Sequence, residues 1–406
     1  MSTSPQSPIP APHEIGQSRL RAWLEVDTAA IRANTMALRQ FLAPTTELMA
    51  VVKADGYGHG AVPVAKAALS GGAACLGVAT LAEGVELRRA GITAPVLMLG
   101  TLTQVEELRS CLRWQLMPTI SSMREALLCQ NLASGMGRPM ALQLKLDTGM
   151  ARLGAAWEEG PRLVAALQDL EAVDLRGVYS HLACADACPG EDDGLTALQR
   201  QRFETVLAAL RQQGLRGGCR HLANSAGTLR SPELHYDMVR VGLALYGHAP
   251  APHLAAIVPL RSALQVHARV TLLRDVPAGV GVSYGHRFRT SRPSRLAVVA
   301  IGYADGVPRQ LSNRMEVLFQ GTRLPQVGTI TMDQLIVDAT DATALEVGGV
   351  VTLLGKQEQE SITPADWSEC CGTIPWEILC GFKHRVPRLT QDHDGSIPLP
   401  GHPPGR

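Results

Sequence analysis

The stretch ELMAVVKADGYGHGAVPVAKAAL, residues 47–69, runs from an apolar, β-branched segment through a glycine-rich loop into residues whose apolar members recur at helical spacing. That order is one βα unit: a buried strand over Glu47–Lys53, a turn, and a helix over Val62–Leu69. The pattern repeats downstream. Strand-like runs recur at Ala73–Ala79, Pro95–Gly100, Gln115–Ile120, Met140–Asp147, Leu175–His181, Cys219–Asn224 and Tyr236–Val241, with helical stretches at Leu81–Ala90, Ser121–Leu132, Pro161–Leu170 and Thr196–Gln213. Eight strands over roughly 200 residues is the count of a closed (β/α)8 barrel, although an open doubly wound sheet shares the alternation. The expected fold class is α/β, with an N-terminal TIM-type barrel.

Beyond about residue 255 the texture changes. Ser262–Leu273, Arg295–Gly302, Leu324–Thr331, Leu335–Ala339 and Val350–Leu354 read as strands between Gly/Pro turns, with helical periodicity returning only near Pro364–Cys371. A mostly β C-terminal domain over 256–391 is the expectation. Residues 19–255 are assigned to the barrel, including a leading strand (Ala22–Val26) and a helix capped at Asp27 or Thr28. The ends, 1–18 and 392–406, read as disordered tails.

Composition narrows the function. A formal charge of +1 with acidic and basic residues mixed gives no footprint for nucleic acid or an anionic membrane, so a small soluble substrate fits better. No run approaches the roughly 18 apolar residues of a membrane span, and the first residues lack the regions of a signal peptide. Nine cysteines without CxxC spacing suit a reducing compartment, and no Cys/His cluster has metal-ligand spacing. A cytoplasmic protein without a metal is expected.

The polar residues are placed at strand ends. Lys53 ends the first barrel strand, Arg152 follows the fifth, His181 ends the sixth, Asn224 and Ser225 the seventh, and Arg240 lies near the end of the eighth. In a barrel these converge on the carboxyl-terminal mouth, where such enzymes build their active sites. A partly desolvated lysine there has a lowered pKa and an amine able to form a Schiff base; otherwise it is a side chain snorkelling to water. The glycines and tyrosine of ADGYGHG (54–60) let backbone and a phenol approach a ligand closely, though the GxGxxG spacing of a dinucleotide site is absent. The bland alternatives are a rim salt bridge for Arg152, a core histidine for His181 and, taken alone, a surface residue for Tyr284.

In order along the chain, AVVKADGYGHGA (50–61), LKLDTGMARLG (144–154), YSHLACAD (179–186), ANSAG (223–227), VRVGLALYG (239–247), VSYG (282–285), GYADG (302–306), TMDQ (331–334) and RVPR (385–388) resemble the motifs of the alanine racemase family. The match spans nearly the whole chain between the tails. The resemblance implies pyridoxal-phosphate (PLP) chemistry of fold type III, a head-to-tail homodimer with shared active sites, and a small amino acid as substrate. It makes Lys53 the cofactor lysine and one catalytic base, and Tyr284 of the partner subunit the other. Tyr57, Ser225 and the amides of Gly242 and Leu243 would hold the phosphate, with Asn224 and Trp376 also on the cofactor side. Arg152 would bond the phenolic oxygen beside Lys145, a position that can be carbamylated.

Arg240 would meet the pyridine nitrogen, with His181 packed against it. An arginine donates without protonating the ring, which weakens the electron sink and favours clean proton return. Met332 and Asp333, together with Arg152, would contact the substrate carboxylate; Asp186, Tyr303 and Arg309 resemble an entryway. Racemisation needs bases on both faces of Cα, and Tyr284, titrating near pH 10 in water, needs neighbours that stabilise its phenolate. Two departures from the family pattern stand out: Trp376 where a tyrosine is common, and Thr331 where a cysteine is frequent. The activity implied is interconversion of L- and D-alanine, a peptidoglycan precursor. The alternatives are a racemase of broader small-amino-acid range, a PLP decarboxylase, against which Arg240 argues, and a non-catalytic PLP carrier, which usually lacks the β domain.

Overall fold

A computed structural model describes residues 20–392 apart from 189, 192 and 193. Apart from Asp392, the expected tails lie outside the described residues. The chain forms two compact units, one of residues 28–262 and one that joins the segment ending at Asp27 to the segment starting at Ala263.

In the first unit, the strands Glu47–Val51, Cys75–Val78, Val96–Thr101, Met117–Ile120, Met140–Asp147, Val173–Tyr179, Cys219–His221 and Met238–Val241 pair in parallel, each with the next. The eighth returns to pair with the first, which closes the barrel. The strands read as apolar runs because both faces are covered. Met49, Cys75, Leu97, Tyr179 and Met238 form one buried cluster. Outer helices start on side-chain caps: Thr80 and Glu83 form a reciprocal capping box for Leu81–Arg89, and Ser122 caps Met123–Gly135. One helix, Val105–Trp114, was not anticipated; only Leu108, Cys111 and Leu112 of it are buried, too thin a stripe to stand out in sequence.

The second unit is mostly sheet. Its long strand Leu264–Val276 pairs antiparallel with Ser294–Val299 and Val350–Gln357. The leading strand, assigned above to the barrel, belongs here instead: Ala22–Asp27 pairs antiparallel with Leu264–Val276 and parallel with Arg388–Gln391. Nothing local could show this, since the partners lie some 240 residues away. A second correction concerns Leu324–Thr331, where only Thr322–Pro325 is strand. The chain turns at Gly328 (φ 78°), whose amide donates to Asn313 Oδ1 at 2.6 Å while Gln326 Nε2 takes the Val327 and Gly328 carbonyls. Among the described residues no helix is long and apolar enough to cross a membrane.

Candidate active site

At the barrel mouth, several residues expected at strand ends sit just past them. The first strand stops at Val51, and Lys53 opens a turn in which Ala54, Asp55, Gly56 and Tyr57 all have φ between 52° and 59°. Left-handed backbone costs each non-glycine residue about 1 kcal/mol or more, so the turn must be held from outside. The Ala54 amide donates to Glu83 Oε1 at 2.7 Å, and the Ala61 amide to Asp55 Oδ1 at 2.9 Å. Glu83 Oε2 also accepts from the Ala79 and Thr80 amides. Tyr57 stacks on Tyr246 with centroids 4.8 Å apart, and the Tyr246 hydroxyl donates to the Val51 carbonyl at 3.0 Å. Lys53, half-buried, is thus fixed by its own backbone.

Close by is a cluster of donors. Ser225 Oγ accepts from the Gly242 amide at 2.9 Å and lies 3.4 Å from that of Ala244. The buried Leu243 amide donates to no protein acceptor among the described residues. A Cβ on Gly242 would lie 2.5 Å from the Tyr57 hydroxyl, so only glycine lets that phenol reach the same spot. Hydroxyls and amides converging in this way suit a phosphate. Asn224 Oδ1 caps Ser225–Arg230 through the Gly227 amide at 2.9 Å, and its Nδ2 reaches the Leu182 carbonyl. These two bonds shape the loop and leave one Nδ2 hydrogen and one Oδ1 lone pair.

Arg240 is almost fully buried. Its Nη1 donates to His221 Nδ1 at 2.8 Å; Nη2 reaches the Ser180 and Leu222 carbonyls at 2.7 and 3.0 Å and His181 Nδ1 at 3.2 Å. Arginine only donates, so the His221 imidazole must accept at Nδ1 and carry its proton on Nε2; the two hydrogens of Nη2 are shared among two carbonyls and His181 Nδ1. The Nε2 proton of His221 points at Gln143 Oε1, 2.7 Å away. Burial first, and the Arg240 charge second, hold both histidines well below their ordinary pKa, hence neutral. Burial also pulls Arg240 down to about 10, leaving it charged at neutrality. None of these bonds uses its Nε–H, and among the described residues no carboxylate bonds it.

Lys145 is buried, and desolvation, reinforced by Arg240, Arg152 and Lys53, lowers its pKa to about 8. Arg152 is exposed and forms no ion pair among the described residues. The mouth therefore gathers four basic side chains against Asp147, whose Oδ1 already accepts from the Gly149 and Met150 amides. Such a field favours anionic ligands.

Three positions went unnoticed in the sequence: His221, Gln143 and Tyr179. Tyr179 stacks on His221 at 4.6 Å, lies beneath both Arg240 and Lys145, and shares a hydrogen bond with Thr119 at 2.7 Å. The available signal was a polar side chain at a strand position that faces the barrel interior.

The second unit carries its own constellation. Tyr284, Tyr303, Arg309, Met332 and Asp333 line one cleft of about 560 Å³. The Tyr284 carbonyl is held by Thr329 Oγ1 at 2.8 Å, while the Tyr303 and Ala304 amides bond the Thr331 and Met332 carbonyls. Trp376, half-buried on the helix Pro375–Gly381, does not line this cleft. Asp186 is exposed in the barrel unit. No metal-binding cluster occurs among the described residues.

Two family profiles match this chain: "Alanine racemase, N-terminal domain" over residues 26–250 and "Alanine racemase, C-terminal domain" over 263–390. An alanine racemase of Prochlorococcus marinus is 55% identical over 91% of this chain and 96% of its own length; one of Nostoc is 52% identical over 91% and 95%. Among solved structures, the alanine racemase of Streptomyces lavendulae superposes with a TM-score of 0.86 at 40% identity, covering 93% of this chain and 98% of that one. That of Bartonella henselae, solved with covalently bound pyridoxal phosphate, gives 0.80 at 33% identity over 92% and 100%.

Proposed function

Because the chain belongs to the alanine racemase family, we propose that it interconverts L- and D-alanine with two bases, Lys53 on one face of Cα and the partner subunit's Tyr284 on the other. The residues present fit the family's cofactor: an unclaimed amide at Leu243, the Ser225 and Tyr57 hydroxyls for its phosphate, and an unused Nε–H on Arg240 for its ring nitrogen. Pyridoxal phosphate, when bound, withdraws electron density from the substrate Cα and so loosens its proton.

The chain's own residues decide where that proton goes. Lys53 is the half-buried amine that would hold the cofactor, and its Nζ takes or returns the Cα proton on one face. Tyr284 does the same at its hydroxyl on the other face, acid and base exchanging roles with direction. Arg240 is the observation that carries the assignment. Gripped by two neutral imidazoles and two carbonyls, it would offer the ring nitrogen a donor and no transferable proton. That restrains the electron sink and favours reprotonation over loss of CO2. Arg152, without a carboxylate partner among the described residues, would bond the phenolic oxygen and the substrate carboxylate. Lys145, part neutral near pH 8, can take up CO2; its carbamate would neutralise part of the cationic mouth and orient Arg152.

Tyr284 and Met332, 73% and 53% exposed, are large side chains for open solvent, which supports a second copy of the chain covering them. A homodimer with shared sites, a cytoplasmic location, the supply of D-alanine for peptidoglycan, Asp186, Tyr303 and Arg309 as the entryway and Trp376 on the cofactor side belong to the same proposal. The test is incubation with L-alanine or D-alanine and PLP in heavy water, followed by chiral chromatography and mass analysis. Either enantiomer should drift to an equal mixture with deuterium at Cα and no CO2 released, and serine should react more slowly. Retention of configuration without exchange would exclude a racemase; release of CO2 would point to a decarboxylase.

A further inference from the structure

Asp305 of GYADG (302–306), Arg385 of RVPR (385–388) and Arg21 have been given no part in the chemistry, yet the buried Asp305 carboxylate ties them to the loop bearing Met332. Asp305 is fully buried. Its Oδ1 lies 2.5 Å from Arg21 Nη2 and 3.0 Å from Arg385 Nε; its Oδ2 accepts from Arg21 Nη1 at 3.1 Å and from the Gly302 amide at 2.9 Å. Arg385 extends the chain, its Nη2 meeting Asp333 Oδ1 at 2.6 Å. Two guanidinium groups thus alternate with two carboxylates, and their charges cancel. The backbone reinforces the link: the Ala304 amide bonds the Met332 carbonyl, the Lys383 amide bonds the Asp305 carbonyl, and a Cβ on Gly302 would fall 2.5 Å from Met332 O.

We propose that Arg385 is a positioning residue for substrate binding: anchored on Asp305, it holds and neutralises the Asp333 carboxylate so that the substrate's own carboxylate can dock at the Met332 amide. The proposal rests on the function proposed for the chain, in which that amide receives the substrate. An ionised carboxylate only accepts hydrogen bonds, so the Asp333 side chain, which the resemblance sets beside the substrate carboxylate, cannot bond it and without Arg385 would repel it. Arg385 is thereby a determinant of KM, acting through Asp333 without touching the reacting atoms.

The test uses holoenzyme of R385M, R385K and R385M/D333N. KM and kcat for L-alanine are measured, together with the affinity for acetate by calorimetry, which needs no turnover. R385M should raise KM and weaken acetate about fivefold, the size expected for one charge of an exposed pair, with kcat little changed. R385K, which keeps the charge, should recover most of the loss. Adding D333N to R385M should also recover it, because the bare carboxylate is gone; an arginine with a merely structural role would leave the double variant as weak as the single. Wild-type KM and acetate affinity in R385M, or no recovery on adding D333N, overturns the proposal. If R385M does not fold, R385Q with and without D333N makes the same comparison. Failure of the racemase function itself looks different: wild-type holoenzyme would then neither racemise alanine nor lose acetate to it in competition.

Discussion

Replacing Gly242 with alanine tests the phosphate cradle without touching Lys53. The new Cβ would sit 2.5 Å from the Tyr57 hydroxyl and 3.0 Å from its Cζ. Ordinary contact begins at 3.4 Å, so the phenol must retreat by about 0.9 Å (3.4 − 2.5). It has little freedom to do so. Its ring is stacked on Tyr246, which is tied to the Val51 carbonyl, and its backbone lies in the left-handed turn after Lys53. Overpacking of this kind costs about 1–3 kcal/mol. Taken from cofactor binding, that is a loss of affinity of about 5- to 150-fold. The assay is titration of PLP into stripped protein by quenching of tryptophan fluorescence, with circular dichroism to show that the variant is folded. Tyr57→Phe removes the closest atom, so the penalty of Gly242→Ala should be smaller in that background, a non-additivity expected of touching groups. A folded Gly242→Ala that binds PLP as tightly as wild type would refute this account of the cradle.

Lys145, at about 8, should be neutral in roughly one molecule in ten at pH 7 and nine in ten at pH 9. Uptake of labelled CO2, observed as a carbamate signal by carbon NMR, should therefore quicken between those pH values and vanish in Lys145→Met; absence of the signal at every pH removes the modification. Burial penalises the charged amine, so in the unmodified protein this group's contribution to stability improves as pH rises from about 8 toward the ordinary 10.5. Lys145→Met should flatten that rise in a thermal melt. Tyr284→Phe should slow turnover in both directions by about 100-fold or more while PLP affinity holds; an unimpaired variant takes Tyr284 out of the mechanism. Glu83→Ala strips an acceptor from three amides, including that of Ala54, and should lower stability by about 1–3 kcal/mol and weaken PLP binding; unchanged values for both would mean that the turn holds itself.

The barrel was legible because its strands are short apolar runs at regular intervals, a signal that survives without knowledge of the partners. The leading strand was misassigned since Ala22–Asp27 pairs with Leu264–Val276 and Arg388–Gln391, and pairing between distant segments leaves no local trace. Gly328 ended the expected strand at Leu324–Thr331 through a positive φ that one glycine among many does not announce. At the site, Lys53, Arg240 and Ser225 were recognisable by type and place. Their supports were not: Glu83 looks like an ordinary helix cap, and His221 and Gln143 look like core residues until Arg240 is seen to lean on them. The left-handed turn at 54–57 contains alanine and tyrosine, residues that do not prefer it, so the contacts around it are needed to explain the conformation.

The proposed chemistry depends first on the Lys53 amine forming the covalent bond to the cofactor. Borohydride reduction of the PLP-loaded protein, with peptide mass spectrometry of the product, should place a single pyridoxyl group on Lys53 and none on Lys145. A label on another lysine, or no label on a protein that still racemises alanine, would contradict it.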